Sequence, residues 1–335
     1  MREVLLYEAM GNKSLRCKTC RHYCLIPEGS YGFCGVRKNI SGRLFVENYG
    51  KVIATACDPI EKKPLYHFMP DSLSFSIASA GCNFRCKFCQ NYEISQPRYW
   101  RSLQAQEFSP AEVVSAAFEY NCRSIAYTYS EPTVFLEFAL DTAYKAKEKG
   151  LKNVFVSNGF MSPQAIEKLL PVLDAVNIDL KSFSEDFYRN ICAGELKGVL
   201  ESIEEFKKNN VWVEVTTLII PGYNDSREEL VKIARFISGL DKNIPWHISR
   251  FYPAYKMHKA KPTPLETLKS AYNTGKEQGL NYIYIGNINS ELGQNTFCPQ
   301  CGRLLIERQG YSVTKNLLSE GKCSFCGAVI SGLWD

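Results

Sequence analysis

The sequence predicts an α/β fold, a complete or partial (β/α) TIM-type barrel, with a small cysteine-rich element before it and a zinc-ribbon-like element after it. Three observations predict this. Between Asp71 and Asn287, seven short β-rich runs alternate with helical segments. Polar residues collect at or just beyond the C-terminal ends of successive runs. Of the 14 cysteines, 11 fall into three clusters, two of which flank the alternating region. Alternating strands and helices build parallel strands covered by helices. An open doubly wound sheet would also satisfy that pattern, but polar groups converging from one end of many strands are what a barrel mouth provides. The expected division is a metal-binding region over 1–70, the barrel over 71–289 and the ribbon over 290–335.

The runs, in order, are LSFSIASA (73–80), SIAYTY (124–129), NVFVSNG (153–159), AVNIDLK (175–181), VWVEVTTLII (211–220), PWHISRF (245–251) and NYIYIGNI (281–288). Helices are expected between them. Ser109-Pro110-Ala111-Glu112 and Ser226-Arg227-Glu228-Glu229 read as capping boxes, and Ser162-Pro163 places proline in a first helical turn. The stretch DPIEKKPLYHF (58–68) has no metal logic and reads as a solvated linker, with Lys62, Lys63 and His67 as residues that could line a substrate path.

Composition narrows the class. With 45% hydrophobic residues the chain can bury a large core. Glu8 falls where a signal peptide would continue its apolar run, and no run approaches the ~20 apolar residues of a membrane span, so a cytoplasmic protein is expected. Forty Lys and Arg against 35 Asp and Glu give a net charge of +5, dispersed along the chain, which does not argue for nucleic-acid binding. Clustered cysteines without an export signal point to metal rather than disulfides. Cys57, Cys122 and Cys192 stand outside the clusters and read as small buried apolar residues.

The central cluster, Cys82, Cys86 and Cys89 in GCNFRCKFCQN, directly follows the first predicted strand. Iron–sulfur cubes are commonly held by four thiolates, one per iron. Three leave one iron open, and the C-x3-C-x2-C spacing lets a single loop wrap three corners. A zinc ion completed by a remote ligand is the alternative. At the C-terminus, Cys298, Cys301, Cys323 and Cys326 form two Cys-x2-Cys knuckles, each followed by glycine, which reads as a tetrahedral zinc ribbon; a single iron is chemically possible. Cys17, Cys20, Cys24 and Cys34 could hold zinc or an auxiliary iron–sulfur cluster, and their place ahead of the central motif tips the balance to zinc.

The central motif, its place after the first strand, and the polar strand ends resemble the radical S-adenosylmethionine (SAM) superfamily, in particular pyruvate formate-lyase activating enzymes. With DPIEKKPLYHF, YTYSEPT, NTFCPQCG and CSFCG, the whole chain resembles the radical enzyme of the AmmeMemoRadiSam system. The resemblance implies a [4Fe-4S] cluster on Cys82, Cys86 and Cys89 whose open iron binds SAM. Reductive cleavage to a 5′-deoxyadenosyl radical would then abstract hydrogen from a substrate, either a glycine of a partner protein or, as the alternative, RNA or a small molecule. It also implies an electron donor such as ferredoxin or flavodoxin, and association with Memo-like and AMMECR-like proteins. Residue by residue, Phe88 matches the position near the adenine and Glu131 the acid that meets the amino group, although the two glycines that often precede it are absent. Ser157, Asn158, Asp179 and Lys181 match cofactor-contacting positions, Lys181 toward the carboxylate, and His247 matches a histidine that approaches the adenine. Where the activases carry an arginine five residues before Pro-Gly, this chain has Thr216, so carboxylate recognition is expected to differ there. A non-catalytic metal-dependent interaction protein is the remaining class, against which the three-cysteine loop stands.

Overall fold

The computed structural model describes residues 1–288 and 292–335. All seven runs form strands, side by side in chain order. They are β2 (Leu73–Ser79), β3 (Ser124–Tyr127), β4 (Lys152–Ser157), β5 (Ala175–Asp179), β6 (Trp212–Ile219), β7 (Trp246–Arg250) and β8 (Ile283–Gly286), each parallel to the next. Strands covered on both faces read as nearly continuous apolar runs, and all four residues of β3 are buried. The strand order ends at β8 on one side, so the barrel is the partial form. On the other side β1 (Lys51–Pro59) runs antiparallel to β2, and a short strand, Gln106–Glu107, pairs with its first residues. The sheet therefore begins at residue 51 rather than at 71, and the expected boundary at 289/290 lies outside the described residues.

Among the described residues, the longer helices that cover the sheet are α1 (Pro110–Glu119), α2 (Leu136–Glu148), α3 (Pro163–Leu169), α4 (Leu196–Lys208), α5 (Arg227–Leu240) and α6 (Leu265–Glu277). In α5, Leu230, Ile233, Ala234 and Ile237 are buried at the helical spacing, which aims one face at the sheet. The Ser109 box is complete: Glu112 N–H donates to Ser109 Oγ (3.2 Å) and Ser109 N–H to Glu112 Oε2 (2.7 Å). The Ser226 box is only half formed. Ser226 Oγ accepts from Glu229 N–H at 3.2 Å, but the Glu229 carboxylate turns away to accept from Ser182 Oγ and Phe183 N–H, holding down the loop after β5.

Residues 58–68 correct the expectation of a solvated linker. Ile60, Leu65 and Phe68 cluster with Ala126, Val154 and Ala175 from β3, β4 and β5, so this segment fills the barrel's interior. Glu61, Lys63 and His67 are buried with it. Residues 60–72 join β1 to its antiparallel neighbour β2, so both ends of the segment are fixed in the sheet whose interior it fills. Cys57 is also a correction: it is exposed, because β1 is an outer strand covered only over its first residues, while Cys122 and Cys192 are buried as expected.

The N-terminal strands Tyr7–Ala9, Leu15–Cys17 and Leu25–Ile26 form one small sheet, and Arg2–Glu3, Arg37–Ile40 and Arg43–Val46 another. They clasp the barrel through a buried ion pair, Arg37 to Glu137 of α2 (2.8 Å), and through Arg21 Nε, which donates to Met161 O (2.8 Å). At the C-terminus, Thr296–Phe297, Leu304–Gln309 and Ser312–Asn316 make an antiparallel ribbon. Its Arg308 reaches the interior segment, donating to Tyr66 O (2.8 Å) and lying 3.5 Å from Glu61. No helix among the described residues is long and apolar enough to cross a membrane.

Candidate active site

At the C-terminal ends of the strands lies a cavity of about 300 Å³. Every parallel strand or the loop that follows it contributes to the lining: Cys82, Cys86 and Cys89 after β2, Glu131 after β3, Ser157 and Asn158 from β4, Asp179 and Lys181 from β5, Thr216 from β6, Ser249 from β7 and Asn287 after β8. The chain's alternation sets this, because parallel strands all deliver their C-terminal ends to the same rim.

The cysteine loop is held in shape by the barrel. Phe84 N–H donates to Cys82 Sγ at 3.3 Å. Arg85 and Lys87 N–H donate to the carbonyls of Cys192 (2.7 Å) and Ile191 (3.0 Å). Asn158 Nδ2 donates to Asn83 Oδ1 (2.7 Å), and Asn83 Nδ2 to Phe160 O (3.2 Å), so the end of β4 braces the loop. A Cβ on Gly194 would stand 2.1 Å from the Phe84 ring, which shows how closely the loop after β5 is applied. Burial pushes the thiols of Cys82 and Cys89 up, Cys89 to about 11, and a hydrogen bond to Cys192 followed by burial does the same for Cys86. Metal binding at these sulfurs must therefore release protons.

Around them the side chains are differentiated. Glu131 is buried and accepts from Ser157 Oγ (2.8 Å), Asn158 N–H (2.8 Å) and Thr133 N–H (3.0 Å); burial nevertheless pushes its carboxyl above the usual range. Lys181 pairs with Asp179 at 2.9 Å and lies 5.8 Å from the centre of the Phe88 ring. Although burial opposes it, the charge of Asp179 pushes the Lys181 ammonium up and keeps it protonated. Thr216, a lining residue, has a buried Oγ1 with no hydrogen-bond partner among the described residues. An orphan hydroxyl beside three thiols and a lysine fits a polar ligand carried on a metal cluster. Thr217 is different: its Oγ1 donates to Leu180 O and accepts from Trp246 Nε1, both at 2.9 Å.

Of the residues expected to meet the cofactor, Phe88, Glu131, Ser157, Asn158, Asp179 and Lys181 line this cavity with the three cysteines. His247 is not among its lining residues. It sits at the start of β7, its Nε2 2.6 Å from Glu214 Oε2 and its ring against Tyr66 and Tyr284. Glu214 also accepts the N–H groups of Tyr66 and His67, so His247 joins the buried network that anchors the interior segment. The cavity is also lined by Lys62, Lys63 and Tyr129. Asp58 accepts from all three, from Lys62 at 2.8 Å, Lys63 at 2.6 Å and Tyr129 at 2.5 Å. Lys62 and Lys63 were legible as possible path residues; the Asp58–Tyr129 link joins positions 71 residues apart and left no local signal.

Residues 76–237 match the family model described as Radical SAM superfamily. Over 98% of its length the chain is 47% identical to the uncharacterized protein MJ0808 of Methanocaldococcus jannaschii, covering 99% of it. It is 30% identical to the putative glycyl-radical enzyme activating enzyme MJ1227 of the same organism, across 66% of this chain and 91% of that one. The chain belongs to the radical SAM superfamily. A radical SAM methyltransferase from Sphaerobacter thermophilus shares the superfamily fold, with a TM-score of 0.51 at 15% identity over 71% of each chain. Membership in the superfamily implies a [4Fe-4S] cluster and SAM, and among its members this chain is activase-like.

Proposed function

We propose that Cys82, Cys86 and Cys89 hold the [4Fe-4S] cluster and that SAM lies across the cavity between Phe88, Glu131, Ser157, Asn158, Lys181 and Thr216. When bound, cluster and cofactor together supply the reductive cleavage of a sulfonium that yields the hydrogen-abstracting 5′-deoxyadenosyl radical. The observation that carries this reading is the convergence of these residues, contributed by five consecutive strands and their loops, on one cavity. Lys181 supplies the cation for the cofactor carboxylate, the role an arginine plays in the activases; a point charge replaces a bidentate clamp, and the Thr216 hydroxyl takes up part of its hydrogen bonding. Glu131 orients the lining from below, its carboxylate tying the end of β4 to the loop after β3. The barrel wall and the interior segment keep bulk water from a reactive radical.

The substrate in this reading is a backbone glycine of a partner protein, which the activating-enzyme relatives support. A low-potential electron-carrier protein is the reductant, and Memo-like and AMMECR-like proteins are the candidate partners. At the C-terminal ribbon zinc is the metal: Cys298 and Cys326 Sγ lie 3.7 Å apart, as do Cys301 and Cys323, close to the spacing of four thiolates on one tetrahedral ion.

The test is anaerobic incubation of reconstituted protein with deuterium-tracked SAM and size-fractionated cell extract. Formation of 5′-deoxyadenosine carrying hydrogen from a macromolecular, protease-sensitive fraction is expected. Hydrogen drawn only from RNA or from small molecules would replace the protein-substrate reading, and absence of 5′-deoxyadenosine under reduction would end the radical reading.

A further inference from the structure

The four N-terminal cysteines converge without closing on a point. Cys17 ends its strand, Cys20 bridges to Met161, Cys24 precedes the strand Leu25–Ile26, and Cys34 closes the following loop. With Ile26, Arg37 and Val134 they line a cavity of about 20 Å³.

The chain carries its own standards for such a site. At the C-terminal ribbon all four sulfurs lie within 4.8 Å of one another, and among the described residues this is the one group of three or more possible ligand atoms so close together. Four thiolates on a single ion are forced into that spacing by metal–sulfur bonds of about 2.3 Å. Neither the N-terminal four nor Cys82, Cys86 and Cys89 meet it. A cube puts each thiolate on a different iron, so its ligands stand wider apart around a central space. By sulfur spacing the N-terminal site thus groups with the radical SAM cysteines, not with the ribbon. Arg37, whose guanidinium pairs with Glu137, also borders this cavity.

The two cysteine sites also share a wall. Arg85 donates to the carbonyls of Cys82 (2.8 Å) and Phe84 (2.8 Å) in one loop and of Phe33 in the other. A Cβ on Gly81, next to Cys82, would lie 3.3 Å from Cys34 O. Glu131 lines one cavity, while Thr133 and Val134 line the other.

We propose that Cys17, Cys20, Cys24 and Cys34 hold a second [4Fe-4S] cluster, which relays single electrons from a low-potential one-electron carrier protein to the radical site. One electron reduces the N-terminal cluster and is passed on to reduce the cluster on Cys82, Cys86 and Cys89; no atom or proton is transferred. The relay rests on the radical reading above, whereas the metal assignment stands without it.

Reconstitution with iron, sulfide and zinc present together should give about eight irons per chain, against about four if the N-terminal site takes zinc. The variant C82A/C86A/C89A should keep about four irons and a reduced-cluster electron paramagnetic resonance signal, both lost when Cys17 and Cys20 are also replaced. Zinc without iron–sulfur absorbance in that variant, or four irons in the wild type, overturns the assignment. In the fully reduced wild-type protein the two signals should broaden each other; a simple sum of the signals of the two single-cluster proteins overturns the relay. Failure of the radical reading would appear in 5′-deoxyadenosine formation and leave the iron count unchanged.

Discussion

At the scale of single residues, what separates a binding group from a bracing group is whether its polar atoms are already used. Glu131 is spent on four donors of its own chain, whereas Thr216 Oγ1 has none. Replacing Thr216 by valine removes a buried, unpartnered hydroxyl, so the ligand-free protein should be as stable as before or more so, while SAM binds roughly fivefold more weakly for a lost hydrogen bond of about 1 kcal/mol. Chemical denaturation and cofactor titration read the two effects separately, and unchanged affinity would remove Thr216 from the site. Lys181→Ala should weaken SAM more, roughly tenfold to a hundredfold for a charge-assisted bond, with the cluster's absorbance unaltered. Equal affinity in that variant would reduce the Lys181–Asp179 pair to a structural one.

At the scale of elements, the cysteine loop owes its shape to its neighbours more than to its sequence. Gly194 admits the Phe84 ring where any Cβ would stand 2.1 Å away. Gly194→Ala should therefore displace the loop, costing about 1–3 kcal/mol by overpacking and lowering the iron bound per chain at Cys82, Cys86 and Cys89. Iron content and thermal midpoint of the purified variant test this; a normal value for both would show the contact to be slack. The interior segment behaves alike. Arg308→Ala would leave Glu61 buried without its cation, and a loss of roughly 3 kcal/mol is expected in urea denaturation, where the wild-type midpoint would be the contrary result.

For the molecule as a whole, the interior segment makes stability depend on pH. His67 is fully buried; its Nδ1–H donates to Ser331 O (2.7 Å), which leaves Nε2 to accept from Tyr284 Oη–H (2.6 Å), so the ring is neutral. Burial pushes His67 down to about 4. The unfolded chain takes up this proton near 6.5 and the folded chain does not, so stability is intact above about pH 6.5 and falls as pH drops toward 4, by up to roughly 3 kcal/mol. Urea midpoints at pH 7.5, 6 and 5 should fall accordingly, and His67→Gln should flatten the slope; parallel slopes would refute the assignment.

Seven strands, their parallel arrangement, two of the three start signals in full and the three cysteine clusters were legible in the sequence, since period, capping and ligand spacing are local and each rests on a few neighbouring residues. Tertiary structure alone decided three things. It opened the barrel, because closure depends on strand tilt and on what fills the interior. It drew residues 58–68 inside, because several of their buried polar groups find partners far away in the chain, Lys63 in Tyr129, Glu61 in Arg308 and His67 in Tyr284 and Ser331. And it sorted the polar residues by partner, sending His247 to the network of Glu214 while its register neighbour Thr216 keeps a buried hydroxyl without one, since sequence gives the face of a strand but not which distant donors will already occupy each group.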